Sequence, residues 1–218
     1  MLPIRRGLCW LAFPVALSTA ALVFAGSNFR QNAPRTKQSP SDNATVYFPK
    51  GTGGSIADFA SSYLASIGEP SLLATAHDTN TVSYRLTCMG CRGPHLLVVR
   101  FSLDSNGNAA ITTTIAALHL PGPPTVSEHA QRTATREEVD QFFQAIDKAD
   151  FWSMPATEPQ NPDPNRRVIK LDAARMVFEG ARRGAYHVVF REGPEPSAFT
   201  DMVRFVAKVL GGWPRDGL

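Results

Sequence analysis

Thr81-Val82-Ser83-Tyr84-Arg85-Leu86-Thr87-Cys88 decides the fold class. Val82, Tyr84, Leu86 and Cys88 alternate with Thr81, Ser83, Arg85 and Thr87, the period-two pattern of a strand with one apolar face. His95–Leu103 reads as a second strand, apolar on nearly both faces as far as Arg100. Asp104-Ser105-Asn106-Gly107-Asn108 is a turn, and Ala109–Leu118 returns as a β-branched strand. A three-stranded antiparallel meander accounts for all of this. Leu120–Pro124 breaks the sheet, and Thr125–Arg132 is expected as a short edge strand.

Helices flank these strands. Ser55–Ile67 places Ile56, Phe59, Ala60, Tyr63, Leu64 and Ile67 on one stripe, with Ser55 expected as its N-cap. Thr135 opens a second helix with Glu138 three residues on, a capping box. Its stripe is Val139, Phe142, Phe143, Ile146 and Ala149. Phe151 and Trp152 leave that helix near Pro155, and Glu158–Asn165 is a Pro-rich loop. Val168–Ala181 and Ala185–Arg191 read as strands joined by a three-residue turn, Arg182-Arg183-Gly184. That register puts Ala174, Met176 and Phe178 on one face with Tyr186, Val188 and Phe190. Ser197 caps a last helix with the stripe Phe199, Met202, Val203, Val206 and Val209. The expected class is α+β: an antiparallel sheet of about five or six strands, with three helices packed mainly on one face.

The amino-terminal segment is of another kind. Arg5 and Arg6 precede Gly7–Gly26, which carries no charge. This is the pattern of an export signal, with Val23 and Ala25 as small residues before a cut at Gly26. A run of about 20 apolar residues also suits an uncleaved anchor. In both cases the arginines stay cytoplasmic and the bulk of the chain is expected across the membrane, periplasmic or secreted. The organisation expected is a signal peptide or anchor over 1–26, a flexible, disordered tether over 27–45 that is poor in large apolar side chains, and one globular domain over 46–218. Without the leader the charge is 20 − 19 = +1, from 22 basic residues less Arg5 and Arg6 against 19 acidic ones. So near-neutral a domain carries no electrostatic footprint for nucleic acid.

Several pieces resemble, together, a family of uncharacterised exported bacterial proteins. They are Gly68-Glu69-Pro70-Ser71-Leu72, Tyr84-Arg85, Phe151-Trp152 ahead of Pro155, Leu171-Asp172-Ala173-Ala174, Glu179-Gly180 and Tyr186-His187-Val188-Val189. The resemblance spans residues 68–191. It implies export and a single domain, and it transfers no catalytic residue. Cys88-Met89-Gly90-Cys91 departs from it.

Two constellations carry candidate chemistry. Cys88 and Cys91 are the cysteines left after the leader. They read as a disulfide across a strand turn, worth about 2 kcal/mol at most because the loop is short. Free thiols or a redox pair are the other readings. Arg92, not a histidine, follows Cys91, which excludes covalent haem attachment. Arg92 would also lower a neighbouring thiol pKa somewhat. A zinc site recruiting His95 lacks a fourth ligand. Glu179 and His187 would face each other across the expected hairpin, flanked by Arg175 and Arg191. Such a pair suits acid–base catalysis, or is a polar pair on a solvated face. Ser55 lacks the glycine that a nucleophile elbow needs two residues on. His77, His119 and His129 read as surface residues. No metal and no cofactor is expected. The expected function is a non-catalytic binding or envelope-associated module acting on a protein or envelope component. The alternative is a periplasmic enzyme using Glu179 and His187, or Cys88 and Cys91.

Overall fold

The computed structural model describes residues 45–91, 93–119, 121–158, 173–193 and 196–213. The expected leader or anchor, the tether up to residue 44, Arg92, Leu120, residues 159–172 with most of the Pro-rich loop, and residues 214–218 lie outside the described residues. Among the described residues no helix is long and apolar enough to cross a membrane.

The fold is α+β, built on one six-stranded antiparallel sheet. Its strands are β1 (Val82–Met89), β2 (His95–Leu103), β3 (Ala109–Ala117), β4 (Thr125–Thr133), β5 (Arg175–Arg182) and β6 (Ala185–Glu192), in the order β4-β3-β2-β1-β5-β6. The meander therefore runs to four strands, and the β5–β6 hairpin extends it on the far side of β1. The helices are α1 (Gly54–Ser66), α2 (Leu72–Thr75), α3 (Arg136–Lys148) and α4 (Ala198–Phe205).

Both faces of the sheet are covered, which corrects the expected one-sided packing. Tyr84, Leu86, Cys88, Leu97, Val99, Phe101, Met176 and Phe178 pack against Phe142 and Ile146 of α3 and Phe199, Met202 and Val203 of α4. On the other face, Leu96, Val98, Val177, Val188 and Phe190 pack against Ala57, Ala60 and Leu64 of α1, with Tyr47 and Phe48. A strand buried on both sides needs apolar residues at successive positions, hence the unbroken run Leu96-Leu97-Val98-Val99.

Three local expectations fail for identifiable reasons. The N-cap of α1 is Gly53, not Ser55, and it makes no side-chain cap bond. Phe59 is 43 % exposed, stacked on Tyr63 with the Arg175 guanidinium over its ring. After α4, Val206–Leu210 is a π-turn. Its wider spacing rotates the stripe, so Leu210 is buried and Val209, expected inside, is 47 % exposed. The Thr135–Glu138 capping box is present as expected, and Ser197 accepts the Thr200 N–H.

The β5–β6 hairpin turns on two residues, Arg183 and Gly184, both at positive φ (49° and 81°), with Arg182 paired to Ala185. Two left-handed residues give a turn whose twist matches the strands. A turn shorter by one residue than expected shifts the register by one and exchanges the faces of β6. Tyr186, Val188 and Phe190 thus lie on the α1 side, opposite Met176 and Phe178.

At Gly180, on the α3 side of β5, a Cβ would stand 2.8 Å from both the Phe151 and Tyr84 rings. Gly180→Ala is therefore expected to lower stability by about 1–3 kcal/mol. The urea midpoint would show it, with an unchanged slope.

Candidate functional site

The most heavily invested polar site lies under the α1–α2 side of the sheet. Arg85 and Glu179 are cross-strand neighbours on β1 and β5, and both are 0 % exposed. Arg85 Nε and Nη2 donate to Glu179 Oε2 at 2.8 and 2.6 Å. Nη1 donates to the Pro70 carbonyl at 2.6 Å. The other Glu179 oxygen accepts from the Tyr186 hydroxyl at 2.8 Å. Arg100, opposite Arg85 on β2, donates through Nε to Glu69 Oε2 at 3.1 Å, and the same oxygen stands 3.6 Å from Arg85 Nη1. The Tyr47 hydroxyl donates to the Glu69 carbonyl at 2.7 Å, and the Tyr47 ring lies under the Arg85 guanidinium at 5.7 Å.

Local sequence explains each arm. Gly68, at a positive φ of 73° just past the C-cap Ile67, ends α1, and the Glu69 N–H bonds back to the Leu64 carbonyl at 3.0 Å. The Ser71 hydroxyl caps α2 and donates to the Val46 carbonyl at 2.6 Å. Arg85 and Glu179 are central residues of their strands, on the side that alternation assigns to polar residues. Two guanidinium and two carboxylate groups make the cluster neutral. Burial holds the Glu179 carboxyl above the ordinary carboxylate range, against the opposing pull of Arg85 and of the Tyr186 hydroxyl. Burial and the Glu179 charge both push the Tyr186 phenol up, so it stays a donor.

His187 is elsewhere. It pairs with Gly180, and Glu179 pairs with Val188, so the two lie on opposite faces and do not share a site. This corrects the expected pairing, and the one-residue turn difference is its cause. His187 sits against Phe151 (4.9 Å between centroids) and Trp152 (6.1 Å). Burial lowers its pKa, so the imidazole is neutral at neutral pH. Next to it, Trp152 Nε1 donates to the Tyr84 hydroxyl at 3.3 Å, and Arg182 covers the Trp152 ring at 4.3 Å. Of the expected flanking arginines, Arg175 pairs with Glu192 at 3.0 Å and Arg191 donates to the Pro155 carbonyl at 3.0 Å.

Cys88 and Cys91 stand at disulfide distance, their Cα atoms 5.8 Å apart. Cys88 is wholly buried, and Cys91 is at the rim of the same core. The His129 ring meets the Thr114 hydroxyl at 2.9 Å. Among the described residues no group of three or more His, Cys, Asp or Glu side chains could hold a metal ion.

A second feature lies at the opposite end of the sheet. Ile111, Thr113, Glu128, Ala130, Arg132 and Val209–Gly212 line an open groove of about 270 Å³. Arg132 holds Glu138 with two bonds, of 2.9 and 2.7 Å, and donates to the Leu210 carbonyl at 3.1 Å at the end of the last helical turn. Reading the sequence alone missed Arg85 and Tyr186 as partners of Glu179, and Glu69 as the carboxylate beside Arg85 and Arg100. The available signal was a lone arginine at the centre of one alternating strand and a lone glutamate at the centre of another. No family model, no curated protein and no solved structure matches the chain.

Removing one member of the buried pair strands the other. Arg85→Met or Glu179→Leu alone should cost about 3–5 kcal/mol. The double variant should cost less than their sum by about 1–3 kcal/mol, read from a double-mutant cycle of urea melts. Glu138 offers a pH test. Its hydrogen bonds with Arg132 hold its pKa down to about 2. A depressed carboxylate stabilises above its unfolded pKa and stops doing so as pH falls through the folded one. The stability gap between wild type and Glu138→Gln should be about 1 kcal/mol or less at pH 7, since Arg132 is 43 % exposed. It should close between about pH 4.5 and 2.

Proposed function

We propose that the chain is an exported, non-catalytic binding domain, carried on a leader or anchor over 1–26 and a tether over 27–45. Its contact surface is the outer edge of β4 together with the groove beside it. The observation that carries this is the inequality of the two sheet edges. On β6 the Phe190 N–H donates to the Ala156 carbonyl at 2.7 Å, so a passing segment caps that edge at Phe190. On β4 all nine residues are exposed, and the strand is last in the sheet. An open edge beside a groove takes an extended chain by strand addition, with backbone bonds for affinity and the groove for selectivity. The buried charges under α1 serve this reading as the frame that holds the strands in register.

A photo-crosslinking residue at Thr133 should trap a partner in envelope fractions. One at Asp58, on exposed α1, should not. Gln131→Pro, which removes an edge N–H without a core contact, should abolish the Thr133 product. Equal products from both positions would refute the edge as the contact surface. An enzyme reporter fused at Leu218 that is active only in the cytosol would refute export.

A further inference from the structure

We infer that the strand which occupies the β4 edge is β4 of a second copy, running antiparallel about a two-fold axis at Ala130. This deepens the edge reading above and rests on it. The Ala134 N–H donates to the Ala109 carbonyl at 2.9 Å, and bonded pairs alternate along an antiparallel ladder. Through the β3–β4 register, Arg132, Ala130 and Glu128 therefore turn their backbone groups inward to β3. Thr133, Gln131 and His129 turn theirs to the open edge. A second β4 can bond only by setting outward residues opposite outward residues.

Among such registers, the one centred on Ala130 sets Glu128 opposite Arg132 of the second copy, twice by symmetry, as a further carboxylate beside the Glu138 that each Arg132 already holds. It sets His129 opposite Gln131 as a bonded pair and leaves the small Ala130 side chains to meet on the axis. Centring on His129 or Gln131 instead sets Glu128 against Ala130 or Ala134. The charge pattern is thus self-complementary in one register, as a two-fold interface requires. Glu128, Ala130 and Arg132 all line the groove, so the two grooves come together on one side of the joint. The exposed Val209 of each copy stands at their rims. The bulge at the Ile115/Ala116 step of the β3–β4 ladder bends the edge near Ser127 and ends the pairing there. The product is a continuous twelve-stranded sheet, six strands from each copy.

Residues meeting at a non-bonded antiparallel position have Cα atoms about 4.5 Å apart, within disulfide reach. In the full-length chain, with Cys9→Ser to silence the leader, Ala130→Cys should form a covalent dimer under mild oxidation. Gln131→Cys should form about tenfold less, because its opposite number is His129. Glu128→Arg, which puts like charges opposite one another twice, should weaken the dimer about tenfold. The urea midpoint of each variant shows that it folds. A folded Ala130→Cys chain that stays monomeric overturns the inference, and so does equal trapping at Gln131. If that monomer still gives the Thr133 crosslink to another protein, the edge reading survives and self-pairing falls. If neither product forms, both fall.

Discussion

An arginine and a glutamate wholly withdrawn from water must satisfy each other or the sheet between them cannot form. Arg85 and Glu179 do so with two bonds to one carboxylate oxygen, and their further bonds reach other segments. Pro70 takes the third guanidinium bond, Tyr186 takes the second carboxylate oxygen, and Glu69 lies between Arg85 and Arg100. Such a pair adds little net stability over a well-packed apolar pair, because desolvation offsets the attraction. Its effect is specificity. It accepts one register of β1 against β5, one face of β6 and one placement of the turn after α1, since any slip leaves a charge buried alone.

The two faces of the central strands divide the labour. One carries the ionic cluster. The other carries Tyr84, Phe151, Trp152 and His187, packed closely enough that Gly180 has no room for a side chain. The segments Gly68–Leu72, Tyr84-Arg85, Phe151-Trp152, Glu179-Gly180 and Tyr186-His187, scattered in sequence, converge on these two faces of β1, β5 and β6. Charge on one side and aromatic crowding on the other both fix the position of β5 beside β1. The exposed strand, β4, is at the other end of the sheet.

That end is organised differently. β4 has no buried residue. Arg132 ties it to the capping box of α3 and to the carbonyls at the end of the last helical turn, so the edge is held in place by its neighbours rather than by a core of its own. The π-turn that rotates Val209 outward places an apolar side chain beside this edge. Local irregularity in the last helix and exposure of the last strand therefore belong to one surface.

Local patterns in the chain were enough to determine the class of the fold. Alternation over Val82–Cys88, the double-sided apolar run of β2, the Asp104–Asn108 turn and the Thr135–Glu138 capping box depend on near neighbours and read directly. The α1 stripe read with one error at Phe59, which Tyr63 and Arg175 shelter outside the core. Tertiary structure decided the rest. A two-residue turn takes Arg183 left-handed and keeps Arg182 in the strand, whereas a three-residue turn does neither, and that difference sends Glu179 and His187 to opposite faces. Whether the polar side of β1 meets water or a helix depends on where α1 comes to rest, and a periodicity of two is silent on that. Arg85 finds Glu179 ninety-four residues away, a distance over which sequence spacing carries no information and only the assembled sheet brings the charges together.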